Sequence, residues 1–146
     1  MSLLTGSNAA LAALILRLTL GIAALAHGLM KVFVFTLPGT VQYFESIGYP
    51  GIFAYLTVLA EVGGGLLLIA GIGTRLVALG QIPVLIGAAL VHAGNGWVFS
   101  SPNGGWEFPV IWIAALVVQA LLGDGAAAIG PRLYGRLFAR GAVVRA

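Results

Sequence analysis

Six ionisable side chains lie within or beside long apolar segments of this sequence. They are Arg17, His27, Lys31, Glu61, His92 and Glu107. A charge at the centre of a bilayer costs on the order of 3 kcal/mol on insertion scales, so each such group needs a partner, water or a function. Imidazole and carboxylate groups transfer protons, and an ammonium group stabilises negative charge. The set therefore predicts a polar site inside a membrane protein.

On the first apolar segment the polar groups fall on one helix face. At about 100° per residue this face takes up about a quarter to a third of the circumference. Its members are Arg17, Gly21, Ala24, His27, Gly28 and Lys31. The face extends about 21 Å along the axis, from near the bilayer midplane to one surface. It predicts one wall of a cavity.

Glu61 lies about ten residues into the second apolar segment and is followed by three glycines, residues 63–65. We expect it near the depth of Arg17, and we predict an ion pair between the two, since each is otherwise an uncompensated charge in a medium of low dielectric. Two roles stay open for this pair. It could only lock the helices together, or it could also contact a ligand or relay protons.

The third segment places Gln81 and His92 on one face, with Asn95 close by. His27 and His92 are then expected at similar depth on different helices, an arrangement that could hold a non-covalent b-type haem or a metal. The chain contains only 2 histidines, and we favour hydrogen-bonding roles around a pocket over haem, with no metal site.

Two interpretations are open for Glu107, at the start of the fourth segment. Its carboxylate can interact with free backbone amides and with the positive end of the helix dipole. Alternatively it faces the histidines and Lys31 across the pocket, which would bring an acid, a base and a cation together. The tryptophans are interpreted chiefly as interface anchors, although Trp106, beside Glu107, is included among the ligand-binding candidates.

These considerations give two candidate groups. The catalytic candidates are His27, Glu61 and His92. The ligand-binding candidates are Arg17, Lys31, Asn95, Trp106 and Glu107.

The composition indicates which secondary-structure elements position these candidate residues. Hydrophobic residues make up 60% of the chain and charged residues 8%, whereas about a quarter of an ordinary soluble domain is charged. Four apolar runs, 9–30, 52–71, 76–93 and 108–123, are each close to the length that crosses a bilayer. We predict an all-α fold, an integral membrane antiparallel four-helix bundle over residues 1–125, with a basic tail over 126–146.

Basic residues indicate the orientation. Arg75 and the arginines of the tail lie on one side, so the positive-inside rule puts both termini in the cytoplasm. Pro131 could begin a short tail helix that carries Arg132, Arg136 and Arg140 and attracts anionic lipid or a partner protein. The basic residues form no stripe with aromatics, which argues against nucleic acid.

The chain has no cysteine. This excludes disulfides, iron–sulfur clusters, thiolate zinc sites and covalently attached haem. A redox role would have to use a bound, non-thiol carrier.

Several stretches resemble the DoxX family of small four-helix membrane proteins. They are LRLTLG at 16–21, HGLMKVF at 27–33, AEVGGG at 60–65, VHAGNG at 91–96 and GGWE at 104–107. The resemblance covers most of residues 16–107 and ends after residue 125, where an alanine-rich, arginine-bearing tail replaces a short polar ending. It implies a bacterial or archaeal cytoplasmic membrane and a link to redox physiology: one type of relative is a subunit of a thiosulfate:quinone oxidoreductase, and others are associated with oxidative-stress complexes.

Our preferred hypothesis is a membrane subunit of a redox system that binds a quinone or similar small redox molecule in an outward-facing polar pocket. If it is catalytic, it belongs to a quinone-linked oxidoreductase. The alternative is a non-catalytic scaffold that recruits soluble redox or oxidative-stress enzymes. A transporter is a third option, although four short spans without an inverted repeat argue against it unless the chain forms a homo-oligomer.

Overall fold

The computed structural model describes the backbone of residues 2–135 and the side chains of residues 8–135. Within this part of the chain all regular secondary structure is helical. The helix expected in the tail begins at Gly130 and continues to residue 135. Its remaining predicted members, Arg136 and Arg140, lie outside the described residues.

Before the tail, the described part of the chain forms five α-helices. They are α1 (Ser2–Phe33), α2 (Leu37–Ser46), α3 (Ile52–Ala70), α4 (Thr74–His92) and α5 (Glu107–Leu122). Four of them coincide with the predicted apolar runs to within a few residues, except that α1 begins earlier than expected. A short 3₁₀ turn, Ala93–Asn95, extends α4 into the loop that precedes α5.

Among the described residues, three helical stretches are long and apolar enough to cross a bilayer: Asn8–Phe33, Ile52–Ala70 and Thr74–Asn95. The fourth, α5, is apolar but has 16 residues. Large apolar side chains on the outer faces are exposed, as at Ile15, Ile22 and Leu59. Such surfaces are stable in lipid and costly in water. The chain is a multi-pass membrane protein whose environment is the bilayer.

The helix α2 was not predicted. It begins where Thr36 Oγ1 accepts a hydrogen bond from Gly39 N at 3.2 Å, with Pro38 in the first turn. It ends before Gly48, whose φ of 86° is a conformation that favours glycine. Thr40 fixes it to α1, because its hydroxyl lies 3.0 Å from Lys31 O. With 10 residues, α2 is too short to cross a membrane and lies over one end of the longer helices.

The four long helices pack in a ring in which α1 contacts α3 and α5, and α4 contacts the same two helices. A buried apolar cluster lies between them, formed by Leu20, Ala24, Leu68, Ala78, Leu85, Trp112 and Leu116. We call the end of the ring that carries α2 and residues 96–106 the α2 end. The other end, with the turn between α3 and α4, is the 71–73 end.

Glycines set how α1 and α3 are aligned. A Cβ atom at Gly65 would lie 2.8 Å from Gly21 O, and one at Gly28 would lie 2.6 Å from Val62 Cγ2 and 3.0 Å from Glu61 Cβ. The two backbones therefore touch where side chains would otherwise hold them apart, as in other membrane helix pairs. This alignment puts Glu61 opposite Gly28.

Candidate functional site

A cavity of about 750 Å³ lies in the α2 half of the ring. Its walls come from all five helices and from the loop before α5, and most of them are aliphatic or aromatic. Besides two tyrosines, four ionisable side chains line it: His27, Lys31, Glu61 and His92. Pockets of this size and character hold small organic ligands, with a few polar groups fixing the orientation.

Lys31 and Glu61 form an ion pair in the cavity wall. Lys31 Nζ donates to both carboxylate oxygens of Glu61 at 2.8 Å, and the two side chains are 19% and 12% exposed. The predicted pair between Arg17 and Glu61 is therefore wrong. Because Glu61 lies opposite Gly28, it is less than one helical turn from Lys31 along the axis and about three turns from Arg17.

Arg17 lies at the 71–73 end and is completely buried, with 0% exposure. Its guanidinium donates to Leu68 O at 2.8 Å and Ile69 O at 2.9 Å, both in the last turn of α3. It also donates to Ala126 O at 3.1 Å. Carbonyl groups in the last turn of a helix lack intrahelical partners and attract cations. Arg17 thus joins α1, α3 and the segment after α5, and does not line the cavity.

His27 stands on α1 one turn from Lys31. Its Nδ1 is 2.9 Å from Ala23 O in the preceding turn. The ring packs edge-on against Trp112 with centroids 5.1 Å apart, and it stacks against Phe108 at 6.2 Å. These contacts hold the imidazole in one orientation at the cavity wall.

His92 ends α4 and also lines the cavity. Its Nδ1 is 3.1 Å from Asn103 O in the following loop. Asn95 Nδ2 donates to the same oxygen at 3.1 Å and to Gly104 O at 2.9 Å. Asn95 therefore holds the loop against His92 without lining the cavity. Among the described residues, no three His, Asp or Glu side chains cluster as metal ligands would.

Glu107 and Trp106 do not line the cavity either. The Glu107 carboxylate accepts a hydrogen bond from Phe99 N at 3.1 Å, and Trp106 packs edge-on against Trp97 with centroids 4.5 Å apart. Both residues shape the loop before α5. Of the two interpretations of Glu107, the one in which it faces the histidines and Lys31 across the pocket is not met, because its carboxylate turns back onto the loop.

Sequence reasoning missed the aromatic residues of α2 and its following turn. Tyr43, Phe44 and Tyr49 all line the cavity and contact one another in sequence, with centroids 6.2 Å and 6.5 Å apart. The helix start at Thr36 and Pro38 was the signal that could have revealed α2. These aromatics border the α2 end of the cavity.

The fold and the cavity define a helical multi-pass membrane protein with a ligand-sized, mostly apolar pocket at one end, in which an ion pair and two imidazoles lie. The DoxX family model matches residues 12–94, and the chain belongs to that family. The chain is 33% identical over 122 residues, 83% of its length and 86% of the relative's, to "Putative oxidoreductase CatD" of Bacillus subtilis (strain 168). No solved structure shows a significant match. The family and this relative link the chain to membrane redox processes.

Proposed function

We propose that this chain is a membrane subunit of a redox system that binds a quinone or similar small redox molecule in the cavity. The observation that carries the proposal is the juxtaposition of the Lys31–Glu61 ion pair with His27 and His92 in an otherwise apolar pocket of about 750 Å³. A charge pair and two imidazoles are expensive to maintain at membrane depth. A ligand that interacts with these four side chains explains why they lie in the cavity.

The lining fits a flat aromatic ring. Trp112 and Phe108 hold His27 from one side, and the tyrosines Tyr43 and Tyr49 border the α2 end. A bound quinone supplies two-electron, two-proton redox chemistry. The chain's own contribution is to exclude water with aromatic walls, to accept protons at the imidazoles and at Glu61, and to stabilise negative charge with the Lys31 ammonium.

The proposal also specifies how the chain is oriented in the membrane. All four long helices cross the cytoplasmic membrane of a bacterium or archaeon, and both termini lie in the cytoplasm, with the cavity near the outer surface. Arg75 and Arg132 lie at the 71–73 end, while the α2 end carries Lys31, Glu45 and Glu107. The excess of arginine at the 71–73 end supports the cytoplasmic assignment of that end.

The orientation is testable because the chain has no cysteine. Single cysteines at the exposed positions Ser46 and Ser100 should react with a membrane-impermeant maleimide on intact cells, and one at Arg132 should react only after permeabilisation. Labelling of Arg132→Cys on intact cells, or protection of both outer positions, would overturn the arrangement.

Binding is tested by filling the cavity. A Cβ at Gly87 or at Gly80 would meet no heavy atom within 4 Å, but only Gly87 lines the cavity. Gly87→Leu should therefore reduce the affinity of purified protein in nanodiscs for a short-chain ubiquinone analogue at least tenfold. Gly80→Leu, with the same helix and the same added side chain, should bind as wild type. Absence of micromolar binding to wild type, or an equal effect of both variants, would contradict the proposal.

A further inference from the structure

Both histidines of the cavity are hydrogen-bonded to backbone carbonyls through the same ring nitrogen. His27 Nδ1 lies 2.9 Å from Ala23 O, and His92 Nδ1 lies 3.1 Å from Asn103 O. A carbonyl oxygen can only accept a hydrogen bond, so each Nδ1 donates to its carbonyl and carries the proton. Asn95 Nδ2 also lies 3.4 Å from His92 Nδ1, but its two hydrogens are donated to the nearer carbonyls of residues 103 and 104, at 3.1 and 2.9 Å. The hydrogen bond thereby selects the tautomer of each ring.

In a neutral ring with the proton on Nδ1, the nitrogen Nε2 is an acceptor without a hydrogen. Among the described residues neither Nε2 has a hydrogen-bond partner. His27 and His92 both line the cavity, and each ring carries at Nε2 an acceptor that no described residue uses. Glu61 adds further acceptor capacity, because each carboxylate oxygen receives one hydrogen bond from Lys31 and retains a second lone pair.

The cavity wall also contains donors. Lys31 uses two of its three N–H groups on Glu61 and retains one. Trp112 is 7% exposed, and its Nε1 has no partner within the part of the chain that the structure describes. A hydroxyl oxygen on the ligand both donates and accepts hydrogen bonds, so it can pair with the donors or with the Nε2 acceptors. A carbonyl oxygen can satisfy only the donors and leaves both Nε2 atoms desolvated and unpaired, which is costly.

We infer that the cavity binds the reduced, hydroxyl-bearing form of its ligand, an aromatic diol such as a quinol, in preference to the corresponding quinone. His27 and His92 are the residues that determine this preference, each by accepting a hydrogen bond from a ligand hydroxyl at Nε2. The inference rests on the proposed function and specifies which redox form the site retains. Two hydrogen bonds of ordinary strength correspond to a preference of about tenfold or more.

The test compares three probes that share a trimethyl-substituted six-membered ring, under anaerobic conditions: trimethylhydroquinone, trimethylbenzoquinone and the dimethyl ether of the hydroquinone. Titration calorimetry with wild-type protein in nanodiscs should show the hydroquinone binding at least about tenfold more tightly than the other two. Equal or tighter binding of the quinone would overturn the inference while leaving the proposed function intact. Binding of none of the three probes would contradict the proposed function itself.

Replacement of each imidazole identifies the residues responsible. His27→Phe keeps a flat ring against Trp112 and Phe108 but removes the acceptor, and His92→Phe does the same on α4. Each variant should lower the ratio of hydroquinone to quinone affinity by about threefold to tenfold, mainly through weaker hydroquinone binding. An unchanged ratio in both variants would assign the preference to other groups and overturn the inference.

The tautomers can be observed without any activity. Nitrogen NMR of histidine-labelled protein, at about pH 8 where free imidazole side chains are neutral, should show Nδ1 protonated and Nε2 unprotonated in both rings. Addition of trimethylhydroquinone should shift the two Nε2 signals, whereas the dimethyl ether should not. A proton on Nε2 in the ligand-free protein would remove the physical basis of the inference.

Discussion

Lys31 Nζ lies 2.8 Å from each carboxylate oxygen of Glu61, and this pair joins α1 to α3 beside the cavity. Both groups are mostly buried, with 19% and 12% exposure of their side chains. Removing one member leaves a charge in a low-dielectric environment, whereas removing both leaves none. The stability of the two helices should therefore depend on the pair as a unit.

Neutralising one member of this pair should be more damaging than neutralising both. Lys31→Met and Glu61→Gln should each lower the free energy of unfolding by about 3 kcal/mol, and the double variant should lose less than either. Denaturant titration in mixed micelles measures the four values. Glu45→Gln, which removes an exposed carboxylate on α2, should change stability by less than about 0.5 kcal/mol. Additive losses in the double variant would show that the charges are not coupled.

The helices that form the ring could be predicted from the sequence, and the partner of Glu61 could not. Apolar runs bounded by glycine locate α3 and α4 within a few residues, because membrane length and turn chemistry are local properties. The ion pair required the alignment of α1 with α3, which depends on backbone contact at Gly28 and Gly65. Arg17 and Glu61 were expected at equal depth because residues were counted from the ends of the apolar segments, and this count takes no account of the backbone contact.

The environment of Arg17 was unpredictable for a different reason. Its partners are carbonyl oxygens of Leu68, Ile69 and Ala126, and every residue of the chain carries such an oxygen. The expected partner, the carboxylate of Glu61, was therefore the wrong kind of group. The helix α2 was missed because ten residues with mixed polarity resemble a loop when the expected unit is a membrane span.

The three consecutive glycines of α3 should respond differently to alanine. A Cβ at Gly63 would have its nearest neighbour at 3.9 Å, one at Gly64 would meet the flexible end of Gln81 at 2.5 Å, and one at Gly65 would meet backbone atoms of α1 at 2.8 Å. Gly63→Ala should be neutral or slightly stabilising, and Gly65→Ala should cost about 2 kcal/mol or more. Thermal unfolding in detergent ranks the three variants. A Gly65→Ala variant as stable as Gly63→Ala would contradict the close packing of α1 on α3.

Replacing Arg17 should open the 71–73 end without affecting the cavity directly. Arg17→Lys keeps the charge but cannot donate to all three carbonyls, so we expect a loss of about 2 kcal/mol. Hydrogen exchange should accelerate at Ala126 and Gly130, whose amides donate to Ala10 O and Gly71 O at 3.0 Å. Arg132→Lys, at an exposed position, is the control and should leave these amides protected. Unchanged exchange in Arg17→Lys would show that the guanidinium does not hold this segment.

Asn95 should control ligand affinity through the loop that it holds. Its Nδ2 donates to Asn103 O and Gly104 O at 3.1 and 2.9 Å, and Asn95→Asp replaces this donor with a carboxylate that repels both carbonyls. We expect faster hydrogen exchange at Trp106 and Glu107, whose amides donate to the loop carbonyls of residues 96 and 97. Because Gly104 lines the cavity, affinity for trimethylhydroquinone should fall about tenfold.

The matched control is Asn103→Asp. Residue 103 contributes its backbone carbonyl to His92 and Asn95, and aspartate tolerates its positive φ of 65° as asparagine does. This variant should therefore bind the probe and protect the loop amides as wild type does, although it adds the same negative charge to the same loop. If Asn95→Asp and Asn103→Asp weaken binding equally, the effect comes from charge at the loop and not from the donor of Asn95. A selective effect of Asn95→Asp would instead tie the order of the loop to the orientation of His92 at the cavity wall.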